Sequence, residues 1–321
     1  MKLGVAFSSE ELSANEIVGA AVLAEEAGFT TAWVSDHYHP WIDAQGESPF
    51  VWSVLGGIAT ATEQLRVGTG VTCPSMRIHP AVLAQAAATT QTMFEGRFWF
   101  GVGSGEALNE HILGDKWPET NVRLDMMSEA VSVIRQLWSG EQVSHYGPHF
   151  TVENARIYSL PNEPPPIYVS AFGRKSAELA ARIGDGLVST KPDDVVEWYD
   201  NSGGAGPKLA QVKVVWAESV AAAEDLAFER WPTSGLAGEL SQELPTPKHF
   251  EQAASVLHKE DVVSSFACGP DPQRHIDAIR TYADAGYDEV YVTQVGDDQE
   301  GFLRFYAEHV LPHFRSTARV A

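Results

Sequence analysis

The stretch RFWFGVGSGEALN, Arg97–Asn109, decides the fold. A short apolar run ends in a glycine-dense turn, and a carboxylate, Glu106, follows at once. TAWVSDHYHPW, Thr31–Trp41, has the same build: an apolar run that spills Asp36, His37, His39 and Trp41 from its end. Polar residues crowded past the C-terminal ends of apolar strands mark the working face of α/β barrels and open sheets. Outward from these two, six more runs read as strands: Lys2–Phe7, Leu65–Val71, Pro166–Ala171, Gly186–Thr190, Lys213–Ser219 and Glu289–Val295. With Thr31–Asp36 and Arg97–Gly103 they make eight.

Helical patterns separate most of them. Asn15–Ala27 carries Ile17, Ala20, Ala21 and Ala24 at helical spacing and stops at Gly28. Val82–Phe94 is alanine-rich and follows Pro80, and Asn121–Trp138 stripes Leu124, Met127, Val131 and Ile134 along one face. Asp271–Ala285 opens with an N-cap aspartate and a proline at the first helical position, and closes at Gly286. Strands alternating with helices predict an α/β protein, a (β/α)₈ TIM barrel rather than a doubly wound sheet. The 321 residues suit one barrel domain over residues 1–321. The alternation breaks at about 106–165, which holds the hairpin-like Val143–Tyr158, and at about 220–264, partly irregular around Trp231, Pro232, Pro245 and Pro247. Long insertions in a compact domain serve as lids or binding elements.

The charge balance excludes some functions. With 43 acidic against 22 basic side chains and a net charge of −21, the chain lacks the basic face that nucleic acid or an anionic membrane requires. No apolar run approaches the ~20 residues of a membrane span. Cys73 and Cys268, the two cysteines, form no paired motif and suit a reducing compartment. The opening MKLGVAFSSEEL enters a strand directly, without the layout of a signal peptide, so a cytoplasmic protein is expected.

In a barrel the strand ends share one mouth. Strand 1 would deliver Ser8, Ser9 and Glu10; strand 2 Asp36, His37, His39 and Trp41; strand 3 Gly70, Val71, Thr72 and Cys73; strand 4 Ser104, Glu106 and Asn109; strand 5 Ala171, Phe172, Gly173 and Arg174; strand 6 Ser189, Thr190 and Lys191. Carboxylates, a histidine and a tryptophan in one pocket can support proton transfer beside a flat redox-active ring. Gly101-Val-Gly103-Ser-Gly105-Glu106 is not a dinucleotide fingerprint, because Glu106 fills the third glycine position and would repel a pyrophosphate. The pair His37/His39 lacks a third ligand at metal-site spacing, so no metal is assigned. In SAFGRK, Ser170–Lys175, a strand runs through glycine into two cations at a helix start, the layout of a phosphate cradle.

Taken together, VSDHYHPW, Gly68–Thr89, GVGSGEALNE and Ser170–Gly186 resemble the luciferase-like superfamily, and within it the family of glucose-6-phosphate dehydrogenases that depend on the deazaflavin coenzyme F420. The resemblance implies an F420-dependent oxidoreductase that moves a hydride between an alcohol or sugar carbinol and the deazaflavin. His37 would take the alcohol proton, Trp41 and Glu10 would hold the substrate, and Glu106 would manage the proton at the ring nitrogen. Asp36 would hydrogen-bond the cofactor, with Thr72, Ser104, Asn109, Ala171 and Phe172 beside it. Gly70–Val71 would buttress the ring through a non-prolyl cis peptide, Gly173 would bind the cofactor phosphate, and the protein would form a homodimer. Two other readings stay open: an FMN-dependent luciferase-like monooxygenase and a non-catalytic ligand-binding barrel. The chain departs from the sugar-phosphate pattern around strands 6 to 8, where Lys191 is the cation expected in the substrate pocket and Asp193, Gln252 and Ser264 or Ser265 stand where further cations belong. Glucose-6-phosphate is therefore expected to be a poor substrate.

Overall fold

The computed structural model describes residues 1–314. Eight parallel strands form the barrel: β1 (Lys2–Phe7), β2 (Thr31–Val34), β3 (Arg66–Thr69), β4 (Phe98–Val102), β5 (Ile167–Ser170), β6 (Gly186–Ser189), β7 (Lys208–Val215) and β8 (Glu289–Gln294). Each pairs with its neighbour in chain order. β8 returns to β1 with Lys2 opposite Glu289, and that closes the barrel. The expected (β/α)₈ architecture is therefore present. Of the helices around it, α1 (Ala14–Glu26), α2 (Val51–Ala61), α3 (Pro80–Met93), α4 (Thr120–Leu137), α5 (Arg174–Ile183), α6 (Val220–Arg230) and α7 (Pro272–Asp284) matter below. The apolar faces of all but α6 share one core with the outer faces of the strands, while α6 packs Ala223 and Ala227 into a separate cluster with Val215, Trp231 and Val262.

One strand is displaced from its expected span, while the others lie within theirs. β7 begins at Lys208, straight after Pro207, and ends at Val215 instead of running from Lys213 to Ser219. Its first residues pair with β6 and most of its length with β8. The segment after it leads into α6, where the Ser219 hydroxyl caps the Ala222 amide at 3.2 Å.

Inside the barrel, Trp33, Trp99, Tyr168 and Tyr291 pack with Ala6, Val188 and Leu209. Rings this large fit because a strand neighbour is glycine: a Cβ at Gly68 would lie 2.1 Å from the Trp99 ring. At the N-terminal end, Glu289 accepts from the Tyr291 hydroxyl at 2.7 Å and pairs with Arg66 at 2.9 Å. Burial alone would push the Glu289 carboxyl up; Arg66 and Tyr291 outweigh it and hold the group below its usual range. The floor is thus sealed with aromatic rings and a satisfied ion pair, and space remains only at the other end.

Parts of the two insertions wall that end: Thr120 and Leu124 of the first, and residues between Trp231 and Phe250 of the second. The first contributes α4 and an antiparallel hairpin, Val143–Tyr146 with Thr151–Ala155. The second is more helical than its prolines suggest. Pro232 and Pro247 occupy first-turn positions, where the missing N–H is not needed. Arg123 on α4 joins the insertions. Only 1% exposed, it donates to the Glu243 carboxylate at 3.2 Å and the Gln242 side chain at 3.1 Å.

Glu11 makes a second tie. Its buried carboxylate accepts the Trp231 indole N–H at 2.7 Å and the Gly296 amide at 3.2 Å, joining the loop after β1 to the second insertion and the end of β8. Burial raises its pKa to about 7, against the pull of these two hydrogen bonds. A folded-state pKa above the unfolded value means that stability is full below about 4.5 and declines as pH rises towards 7. Glu11→Gln keeps one of the two acceptor oxygens, a loss that does not vary with pH, and removes the ionisation. Its denaturation midpoint relative to wild type should therefore improve from pH 5 to pH 8. A difference that stays constant over this range in chemical denaturation would contradict the assignment.

Candidate active site

A cavity of about 660 Å³ opens at the C-terminal mouth of the barrel. Glu10, His37, Trp41 and Glu106, expected there from three separate strand ends, all line it. Glu10 and His37 form its centre. The Glu10 carboxylate stands 3.1 Å from His37 Nδ1, an off-axis ion contact rather than an aligned hydrogen bond. Its other oxygen accepts from the Ser8 and Ser35 hydroxyls, both at 2.7 Å. Burial raises the Glu10 pKa, but His37 and the two hydroxyls overcome this and set it below normal. The carboxylate is thus held ionised against the imidazole.

The rest of His37 is held by its loop. Its carbonyl accepts from Ser48 at 2.8 Å, and the Trp41 ring meets it edge-on at 5.1 Å. Trp41 leans in turn on Phe250 of the second insertion, at 5.1 Å. Among the described residues His37 Nε2 has no hydrogen-bond partner and is left to the cavity. Asn109 fixes the next residues: its side-chain oxygen accepts the Tyr38 and His39 amides at 2.9 and 3.1 Å. His39 Nδ1 is engaged by the Leu108 carbonyl at 2.9 Å.

Asp36 also borders the cavity, yet both its oxygens are taken, one by Thr72 Oγ1 and one by Arg77, each at 2.7 Å. Arg77 sits between Asp36 and Glu110, whose pKa burial raises to about 7 despite the nearby guanidinium. The peptide between Gly70 and Val71 is cis. Gly70 lies flat against Trp33, so close that a Cβ would come within 2.8 Å of its ring. Ser104, Phe172, Gly173 and Lys191 line the cavity, whereas Thr72, Asn109 and Ala171 stand behind its wall. At the start of α5 the Phe172 and Gly173 amides point to Ser176 Oγ, at 3.3 and 3.2 Å, and the space above Gly173 is open.

The cation expected inside, Lys191, is exposed at the rim. The one deeper in is Lys213, which the sequence reading passed over. Its ammonium lies 3.7 Å over the Trp231 ring. Along β7, Leu209, Gln211 and Lys213 alternate inward, with Leu209 in the barrel interior and the other two on the cavity wall. Burial lowers the Lys213 pKa to about 8, while Glu10 and Glu11 act to keep it charged.

Comparison with known proteins agrees with this geometry. The family model for luciferase-like monooxygenases matches residues 1–289. An F420-dependent glucose-6-phosphate dehydrogenase of Microbacterium testaceum is 36% identical, with 98% of each chain covered. An F420-dependent hydroxymycolic acid dehydrogenase of Mycobacterium tuberculosis is 37% identical over 98% of this chain and 88% of its own. Among solved structures, an F420-dependent secondary alcohol dehydrogenase in complex with an F420–acetone adduct superposes with a TM-score of 0.91 at 28% identity, covering 98% of this chain and 99% of that one. The chain belongs to the luciferase-like family, among the F420-dependent dehydrogenases.

Proposed function

We infer that this protein is an F420-dependent dehydrogenase that exchanges a hydride between the carbinol carbon of an alcohol or sugar and the deazaflavin. The observation that carries the reading is the Glu10–His37 pair in a cavity that Trp41 and Glu106 also line. The residues present fit the cofactor. Gly70 and Val71 offer a flat wall backed by Trp33, and a Cβ at Gly70 would disrupt that wall. Open space above Gly173, at the N-terminus of α5 beside Arg174, suits a phosphate. When bound, F420 supplies the hydride acceptor.

The chain's own residues supply the rest. His37 Nε2 takes the hydroxyl proton as the hydride leaves the carbinol carbon. Glu10, ionised and touching Nδ1, fixes the ring and stabilises the imidazolium that forms. Trp41 holds the substrate against His37, and Glu106 serves the proton at the ring nitrogen. Ser104, Phe172 and Gly173, which line the cavity, would hold the cofactor. Asp36 at the cavity edge, with Thr72 and Asn109 behind it, would support it through the bonds they already make to Arg77 and the loop after β2, and Ala171 through its backbone bonds to Val188 and Ser189. In the reverse direction the same histidine donates its proton to a carbonyl oxygen.

The finer reading is a cytoplasmic homodimer. The two cysteines are buried free thiols, as in a reducing compartment. Phe50, Val82 and Met93, on the adjoining α2 and α3 region, are 54%, 56% and 41% exposed, an apolar face of the kind a second copy covers. Among the described residues no helix is long and apolar enough to cross a membrane.

The test is F420 reduction, followed spectroscopically, across simple alcohols, sugars and sugar phosphates. His37→Ala should lower turnover by roughly 10²–10⁴, the contribution of a positioned base. Cofactor affinity should stay close to wild type, and full turnover would remove the assignment. Glu10→Gln should cost about 10²-fold or more in kcat with little change in KM, as the loss of an orienting carboxylate does in other histidine-centred sites. A change confined to KM would make Glu10 a substrate ligand instead.

A further inference from the structure

The catalytic account leaves Lys213 unused. The residue is partly buried and its ammonium faces the cavity it lines, with the Trp231 face on one side at 3.7 Å. Glu10 and Glu11 favour its charge through space, yet it makes no hydrogen bond or ion pair to any described residue. Glu10 is committed to His37, Ser8 and Ser35, and Glu11 to Trp231 and Gly296. An ammonium carries three donors, and a donor left unsatisfied away from water is costly. The Lys213 ammonium faces the open cavity, so a substrate that displaces water there must offer it an acceptor.

Its position limits what that acceptor can be. Lys213 shares the field of Glu10 with His37, and Trp231 belongs to the same apolar cluster that Trp41 packs against. The two tryptophans thus belong to one apolar wall of the cavity, one against Lys213 and the other against the reacting histidine. Lys191, by contrast, is exposed at the rim. An oxygen bound by Lys213 therefore lies on the substrate close to the carbinol carbon, not at the end of a long chain.

We propose that Lys213 is a specificity-determining residue that donates to an oxygen vicinal to the reacting carbinol. The preferred substrates are then vicinally oxygenated alcohols, either vicinal diols or α-hydroxy acids. The proposal rests on the dehydrogenase reading of this cavity, but its first test needs no turnover.

Three tertiary alcohols lack a carbinol hydrogen and cannot be oxidised at that carbon: pinacol, a vicinal diol; α-hydroxyisobutyrate, its carboxylate counterpart; and tert-butanol, which has no vicinal oxygen. Binding to the full chain without cofactor is measured by calorimetry and by tryptophan fluorescence, to which Trp231 contributes. Pinacol or α-hydroxyisobutyrate should bind about 10–100-fold more tightly than tert-butanol, the range of a hydrogen bond to a charged group. Which of the two gains identifies the neutral or the anionic class. In Lys213→Met the ratio should collapse towards one, and Lys213→Arg should restore part of it. Equal binding of all three by wild type overturns the proposal, whether or not the variants fold, and so does a ratio that survives in Lys213→Met. Selective binding without F420 reduction by any alcohol would instead support Lys213 and overturn the proposed reaction.

Discussion

A carboxylate at the inner end of a cavity cannot stay ionised without compensation, and the arrangement around Glu10 follows from that constraint. Two serine hydroxyls, from the loop after β1 and the end of β2, take one oxygen. His37 takes the other. Lys213 reaches into the same field from β7. Remove the carboxylate and the histidine loses its orientation and the lysine much of the reason for its charge. The barrel floor solves the same problem with Arg66 and Glu289. There every partner is inside the protein; at the mouth some are left for a ligand.

Much of this was legible in the sequence because chemistry and periodicity agreed. Apolar runs ending in Asp36-His37 and in Ser104-Gly105-Glu106 could hardly be anything but barrel strands opening on a site. The helix boundaries came within a residue or two wherever a cap or a proline marked them, as at Asp271-Pro272. Roles that depend on partners were not legible. Nothing in the sequence says that Arg77 neutralises Asp36, or that Asn109 uses its amide to hold Tyr38 and His39. These pairings join residues far apart in the chain, and no local pattern encodes them.

Lys213 shows how one boundary error propagates. With β7 set at 213–219, the lysine opens the strand and falls at the sealed bottom of the barrel. With the strand at Lys208–Val215 it stands near the top and faces inward. The signal was present: Pro207 before the run, then Leu209, Gln211 and Lys213 at strand spacing. The β-branched residues further along, next to the lead-in of α6, pulled the reading towards the C-terminus. Because alternate residues face alternate sides, an odd shift of register exchanges core for surface.

The Arg123 contacts have an asymmetry. On its own side the guanidinium donates to the Pro118 carbonyl at 2.7 Å and to Thr120 at 3.2 Å, and it lies 4.4 Å over the Trp117 ring. Across the seam it meets only the side chains of Gln242 and Glu243. One half of the clasp is therefore built from residues within a few positions of Arg123, and the other is the short helix Leu240–Glu243. Gln242 borders the cavity, so the contact that joins the two insertions is also part of the wall around the reacting groups.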